Sequence, residues 1–127
     1  MRATLTSNIG ACLHNLGDVD GAVAGLERAA ALLAARPRTR LVVLNTPHNP
    51  TGAVLSEADL RAIAELCVEH DVLAISDDVY DNVVFKSSGM WHLRLADMPG
   101  MAERTLTVGS ASKLFSLTGW RVGWLTG

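Results

Sequence analysis

The segment Ser110-Ala111-Ser112-Lys113-Leu114-Phe115-Ser116-Leu117-Thr118-Gly119-Trp120-Arg121-Val122-Gly123-Trp124 sets one amine among hydroxyls and glycines. A guanidinium, Arg121, follows eight positions after Lys113. Such a setting could hold an aldehyde as an imine and grip a phosphate, because an amine condenses with carbonyls and a planar fork matches phosphate oxygens. Two upstream segments add complementary groups. Asn45-Thr46-Pro47-His48-Asn49-Pro50-Thr51-Gly52 offers a neutral amide at Asn49, and Ser76-Asp77-Asp78-Val79-Tyr80 offers a carboxylate and a phenol.

Each group has a chemical use and a plain structural alternative. Two prolines and a glycine stiffen the first segment, and one X-Pro bond could be cis. The bland reading is a rigid connection; a rigid loop would also hold the Asn49 amide as a donor toward a phenolate oxygen. Asp77, nearest the apolar run, is the aspartate expected to be buried and to need a cationic partner such as a pyridinium nitrogen. Tyr80 could reach the same ring's phenolic oxygen, whereas Asp78 reads as a solvated or capping carboxylate. Ser110 and Ser112 at a helix start, with Arg121, suit an anion. Taken singly, serine as a cap, lysine as a surface charge and arginine as an ion-pair partner are sufficient explanations. Jointly, all at strand ends, they are not.

The elements that position these groups are alternating strands and helices. Leu41-Val42-Val43-Leu44 is a short apolar run of the buried parallel-strand type. Ser56 begins a helix, with Ser56-x-x-Asp59 resembling a capping box and Leu60, Ile63, Ala64 and Cys67 on one side. Val72–Ile75, Thr105–Val108 and Val122–Leu125 read as further strands. The pattern predicts an α/β fold with a largely parallel open sheet covered on both faces. Ligands of such sheets sit at the carboxyl ends of strands, where all three segments begin.

Residues 1–37 read as a helical segment. Ile9, Leu13 and Leu16, then Ala22, Leu26, Ala29 and Leu33, recur at helical spacing, and Pro37 ends the pattern. Asn8-Ile9-Gly10-Ala11-Cys12-Leu13-His14-Asn15-Leu16-Gly17-Asp18, with Gly21-Ala22 and Leu26-Glu27-Arg28-Ala29, resembles one tetratricopeptide unit, though a solenoid needs about three copies. An ordinary helical hairpin, or a lead-in to the first strand, is the alternative.

Composition narrows the class. A chain of 127 residues, 49% hydrophobic and 19% charged, suits one globular domain. A formal charge of −2 without basic runs offers no electrostatic attraction for nucleic acid or an anionic membrane. The longest apolar run, Ala29 to Ala35, falls short of the ~20 residues of a spanning helix. Met1-Arg2 is not followed by an apolar signal core, so a cytoplasmic location is expected. Cys12 and Cys67 belong to no CxxC or Cys/His cluster and read as free thiols; the scattered His14, His48, His70 and His92 predict no metal site.

From about Arg38 to Gly127 the three segments resemble the class I/II aminotransferases, the fold-type I pyridoxal-phosphate enzymes, in their kynurenine/glutamine aminotransferase-like branch. The resemblance rests on Asn-Thr-Pro-His-Asn-Pro-Thr-Gly, on Ser-Asp-Asp-Val-Tyr-Asp and on Ser-x-Ser-Lys-x-Phe-Ser-x-Thr-Gly-Trp-Arg-Val-Gly-Trp. It implies a partial, mostly parallel sheet of the large domain over residues 38–127. It implies pyridoxal 5'-phosphate as cofactor, with Lys113 as the Schiff-base lysine and proton shuttle and Asp77 on the pyridine nitrogen. Asn49 and Tyr80 would hold the phenolic oxygen, and Ser110, Arg121 and, more weakly, Ser112 would hold the phosphate. The implied activity is amino-group transfer between an amino acid and a 2-oxo acid, both small-molecule substrates, in a protein that is a homodimer when complete. β-Elimination of the C–S lyase type, or an inactive remnant with a helical interaction module, are the alternatives. A complete family member is several times longer, with a phosphate-cradling loop and a C-terminal domain unmatched here, so a truncated form is expected.

Overall fold

The computed structural model describes residues 39–127; the helical reading of residues 1–37 and Cys12 lie outside the described residues. Four strands form one sheet in the order β1 (Leu41–Asn45), β2 (Leu73–Asp77), β3 (Thr105–Ser110), β4 (Gly123–Thr126). β1, β2 and β3 are parallel, with Leu41 opposite Leu73 and Ile75 opposite Leu106. The last strand runs antiparallel to β3, pairing Gly109 with Trp124. A parallel return needs a long crossover, usually a helix. The 111–122 connection holds only a four-residue helix, α2 (Ala111–Leu114), and a 3₁₀ turn at Thr118–Trp120, so the chain doubles back.

β1 and β2 are joined by α1 (Glu57–Glu69), whose start follows from its sequence. The Ser56 hydroxyl accepts the Asp59 backbone N–H at 3.2 Å, and Asp59 Oδ2 accepts the Ser56 N–H at 2.9 Å. Two orphan donors are thereby satisfied. The helix ends where Asp71 turns left-handed, and the Val72 N–H returns to the Cys67 carbonyl at 2.8 Å. Its buried stripe of Leu60, Ala64 and Cys67 meets Val72 and Ala74 and, from the β2–β3 connection, Leu95, Met98 and Met101. Burying each large side chain in this cluster contributes about 1.5–3 kcal/mol.

Among the described residues this core covers one face of the sheet, not both. Side chains alternate across a strand. Ala74 and Ser76 face the core, while Leu41, Val43, Leu73 and Leu106 on the opposite face stay exposed. A short apolar run does not by itself tell how many of its faces are covered.

Candidate active site

The strand ends bring the singled-out segments to one edge. β2 extends to Asp77 and β3 to Ser110, two residues further in each case than the strands read from the sequence, so both residues close strands rather than open loops. Asn45, the last residue of β1, donates through Nδ2 to the Asp77 carbonyl at 3.0 Å and accepts the Asn49 N–H at Oδ1, also at 3.0 Å. This one amide ties the 46–52 loop to the end of β2. No role was assigned to it in the sequence, although it opens the Asn-Thr-Pro motif.

The loop is stiff on its own account. Both Thr46-Pro47 and Asn49-Pro50 are cis. The Gly52 N–H donates to the His48 carbonyl at 2.7 Å, and His48 Nδ1 meets the Thr51 hydroxyl at 2.7 Å. The buried Thr46 hydroxyl accepts the Leu55 N–H at 3.1 Å. Asn49 is thus held at the surface, its Nδ2 3.4 Å from the Tyr80 hydroxyl. Lys113 Nζ lies 5.4 Å from the Tyr80 ring centroid, within cation–π range. Asn49, Tyr80 and Lys113 therefore come together, from the ends of three strands.

Asp77 is half-buried, its Oδ1 3.5 Å from the Val79 N–H. Asp78 reverses the expectation of a solvated or capping carboxylate. It is only 4% exposed, the more deeply buried of the pair. Its Oδ1 accepts the Ser76 hydroxyl at 2.5 Å and its Oδ2 faces His92 Nε2 at 3.0 Å. The pleat explains this: Asp78 N–H still bonds the Val108 carbonyl, so its side chain turns to the core face while that of Asp77 turns away.

Ser110 caps α2 without a side-chain bond to it, Ser112 is buried and Arg121 is exposed. No side-chain hydrogen bond links Arg121 to either serine among the described residues. Arg121 adopts a left-handed φ of 53°, as does Ser116 at 56°, strained positions for residues with a Cβ. A cavity of about 520 Å³, lined by Pro47, Asn49, Tyr80, Val83, Phe85 and Met90 among others, adjoins Asn49 and Tyr80 but not Lys113 or Asp77. Elsewhere, burial pushes the free Cys67 thiol up to about 11, with Arg104 opposing the shift. No group of three metal-ligating side chains occurs among the described residues, and none of their helices is long and apolar enough to cross a membrane.

The family model for aminotransferase class I and II matches residues 15–127. The chain belongs to that family. Kynurenine–oxoglutarate transaminase 1 of Mus musculus is 55% identical over 91 residues, covering 72% of this chain and 21% of the relative. The probable N-succinyldiaminopimelate aminotransferase DapC of Mycobacterium tuberculosis is 49% identical over 108 residues, 85% of this chain and 27% of that protein. The solved structure of N-succinyldiaminopimelate aminotransferase from Mycobacterium tuberculosis superposes with a TM-score of 0.71 at 50% identity, covering 77% of this chain and 26% of that one. The sheet is that of fold-type I, and the chain spans about a quarter of the length of these relatives.

Proposed function

We propose that the chain carries a cofactor-holding part of a pyridoxal-phosphate-dependent aminotransferase, which passes an amino group from an amino acid to a 2-oxo acid. The observation that carries this reading is the meeting of the Asn49 amide, the Tyr80 phenol and the Lys113 amine at the carboxyl ends of three strands. The donor set suits the cofactor: two neutral donors for a phenolic oxygen, a carboxylate for a ring nitrogen, an amine for an aldehyde, and hydroxyls with a guanidinium for a phosphate. When bound, pyridoxal 5'-phosphate supplies an aldehyde that condenses with amines and a cationic ring that draws electrons from the substrate Cα.

In this reading Asn49 and Tyr80 stabilise the phenolic oxygen's charge through hydrogen bonds. Asp77, steadied from behind by Asn45, keeps a proton on the ring nitrogen. Lys113 accepts the proton from the substrate Cα and delivers it again as a general acid. Ser110 and Arg121 grip the phosphate, with buried Ser112 the weaker third. Residues 38–127 form the large-domain part. The family match beginning at residue 15 favours residues 1–37 as a lead-in to the same domain over a separate tetratricopeptide unit. The complete protein acts as a homodimer in the cytoplasm.

Borohydride treatment with pyridoxal phosphate tests the reading, because Lys86 and Lys113 are the only lysines. The expected result is a stable adduct on the Lys113 peptide by mass spectrometry, absent in Lys113→Ala. An adduct confined to Lys86, or none on folded protein, would refute it.

A further inference from the structure

The Ser76–Asp78–His92 cluster lies behind the site and has no part in the chemistry above. Ser76 and Asp78 are buried and the His92 side chain is only 8% exposed, and both oxygens of the Asp78 carboxylate are engaged, one by Ser76 and one by His92. The other imidazole nitrogen, His92 Nδ1, is buried and has no hydrogen-bond partner among the described residues. Among the described residues the ring's one hydrogen bond is therefore the one to Asp78, with Nε2 donating to the carboxylate. A buried carboxylate of this kind costs free energy unless its hydrogen bonds are complete.

The position of the pair along the chain gives it a consequence. Asp78 opens and His92 closes the loop that carries Tyr80. Between them the backbone bonds are local turns, Asp81 to Asp78 and Val83 to Tyr80, then Ser88 to Phe85. Val83, Phe85 and Trp91 are exposed, so burial does little to hold the loop. Apart from the Asn49–Tyr80 contact and the long Val79 N–H to Asp77 Oδ1 bond at the loop's own start, no side-chain hydrogen bond of residues 79–91 reaches beyond the loop among the described residues. The loop is thus anchored at its two ends, through one buried pair.

We propose that His92 is a positioning residue: through Asp78 it staples the 78–92 loop shut and so holds the Tyr80 phenol beside Asn49 and Lys113. The inference deepens the cofactor reading, on which its consequence for ligand binding rests; the staple itself is tested without cofactor. Tyr80 is the chain's single tyrosine, so its ring resonances report its surroundings without ambiguity.

The experiment compares the 127-residue parent with His92→Leu, His92→Gln and Asp78→Asn by tyrosine ring NMR and amide hydrogen exchange. Glutamine retains a donor near the position of Nε2; leucine does not. In His92→Leu the Tyr80 ring signals should shift toward those of a solvated tyrosine, and exchange of amides 79–84 should rise about tenfold or more, as expected for losing a hydrogen bond to a buried charge. Amides of Leu60, Val72 and Ala74 should keep their protection, and His92→Gln should stay near the parent. Asp78→Asn, which loses one acceptor, should repeat the Tyr80 shift, and adding His92→Leu to it should do little more. Unchanged Tyr80 signals in His92→Leu would overturn the proposal. So would loss of protection in the loop and core alike, or a His92→Gln variant no better than leucine. With pyridoxal phosphate, His92→Leu should bind about tenfold more weakly than the parent. If the parent binds none while the ring signals move as described, the cofactor reading fails and the staple stands.

Discussion

The two edges of the sheet are built differently. At the β1–β2 edge, α1 lays Leu60, Ala64 and Cys67 onto Val72 and Ala74, and the core closes around them. At the β4 edge every residue from Lys113 to Gly127 is exposed, including Phe115 at 62% and Trp120 at 75%. The groups proposed for the ring, Asn49, Asp77 and Tyr80, stand on the closed part. The amine and the guanidinium stand on the open part. The two parts are thus supported by unequal amounts of burial, and the apolar surface at the open edge is of the kind that marks an interaction site.

Substitutions that remove equal chemistry from the two edges should break the symmetry most. Leu60→Ala, at a fully buried position, should lose about 2–5 kcal/mol in urea unfolding, through lost transfer energy and the cavity left behind. Phe115→Ala removes a larger side chain from the open edge and should change stability by no more than about 0.5 kcal/mol. Comparable losses would mean that the open edge is covered in solution.

A smaller effect is expected from adding one carbon at the β3–β4 pairing. A Cβ on Gly109 would overlap the Trp124 indole at Nε1, and one on Gly123 would lie 2.7 Å from the Gly109 carbonyl oxygen. An indole that is partly exposed can swing away; a strand carbonyl cannot. Gly123→Ala should therefore cost about 1–3 kcal/mol and part the strands, whereas Gly109→Ala should mainly move Trp124 into water, read as a red shift of its fluorescence. The opposite ranking would show the indole to be held and the strand to be free.

What the sequence made legible follows the same division. The capping box of α1 could be read although Asp59 stands where Glu is usual, because a cap is a local arrangement of four residues. The meeting of Asn49, Tyr80 and Lys113 was legible because each follows a segment that reads as a strand, and parallel strands bring their ends to one edge. The burial of Asp78 was not, because its partner His92 lies fourteen residues on, and no local pattern distinguishes a solvated aspartate from a paired one. Asn45 was passed over for a similar reason: its work is a bond to the backbone of a strand 32 residues away. The direction of β4 is likewise a property of the 111–122 connection rather than of the strand's own residues.

The smallest effect expected concerns the ion pair that joins the α1–β2 turn to the start of β3. Arg104 Nη1 lies 2.6 Å from Asp71 Oδ1, and this hydrogen bond, helped by the guanidinium charge, holds the Asp71 carboxyl below its ordinary value. A carboxyl depressed in the folded state adds stability above its unfolded pKa of about 3.9 and loses it as the pH falls through the folded value. Asp71→Asn should therefore leave stability nearly unchanged at pH 3 and lower it slightly at pH 7, a difference that 1 M salt should erase because the carboxylate is solvated. If instead the variant lost as much as Leu60→Ala, the closed edge would owe its integrity to charge rather than to the apolar stripe of α1, and the contrast between the two edges would need a different cause.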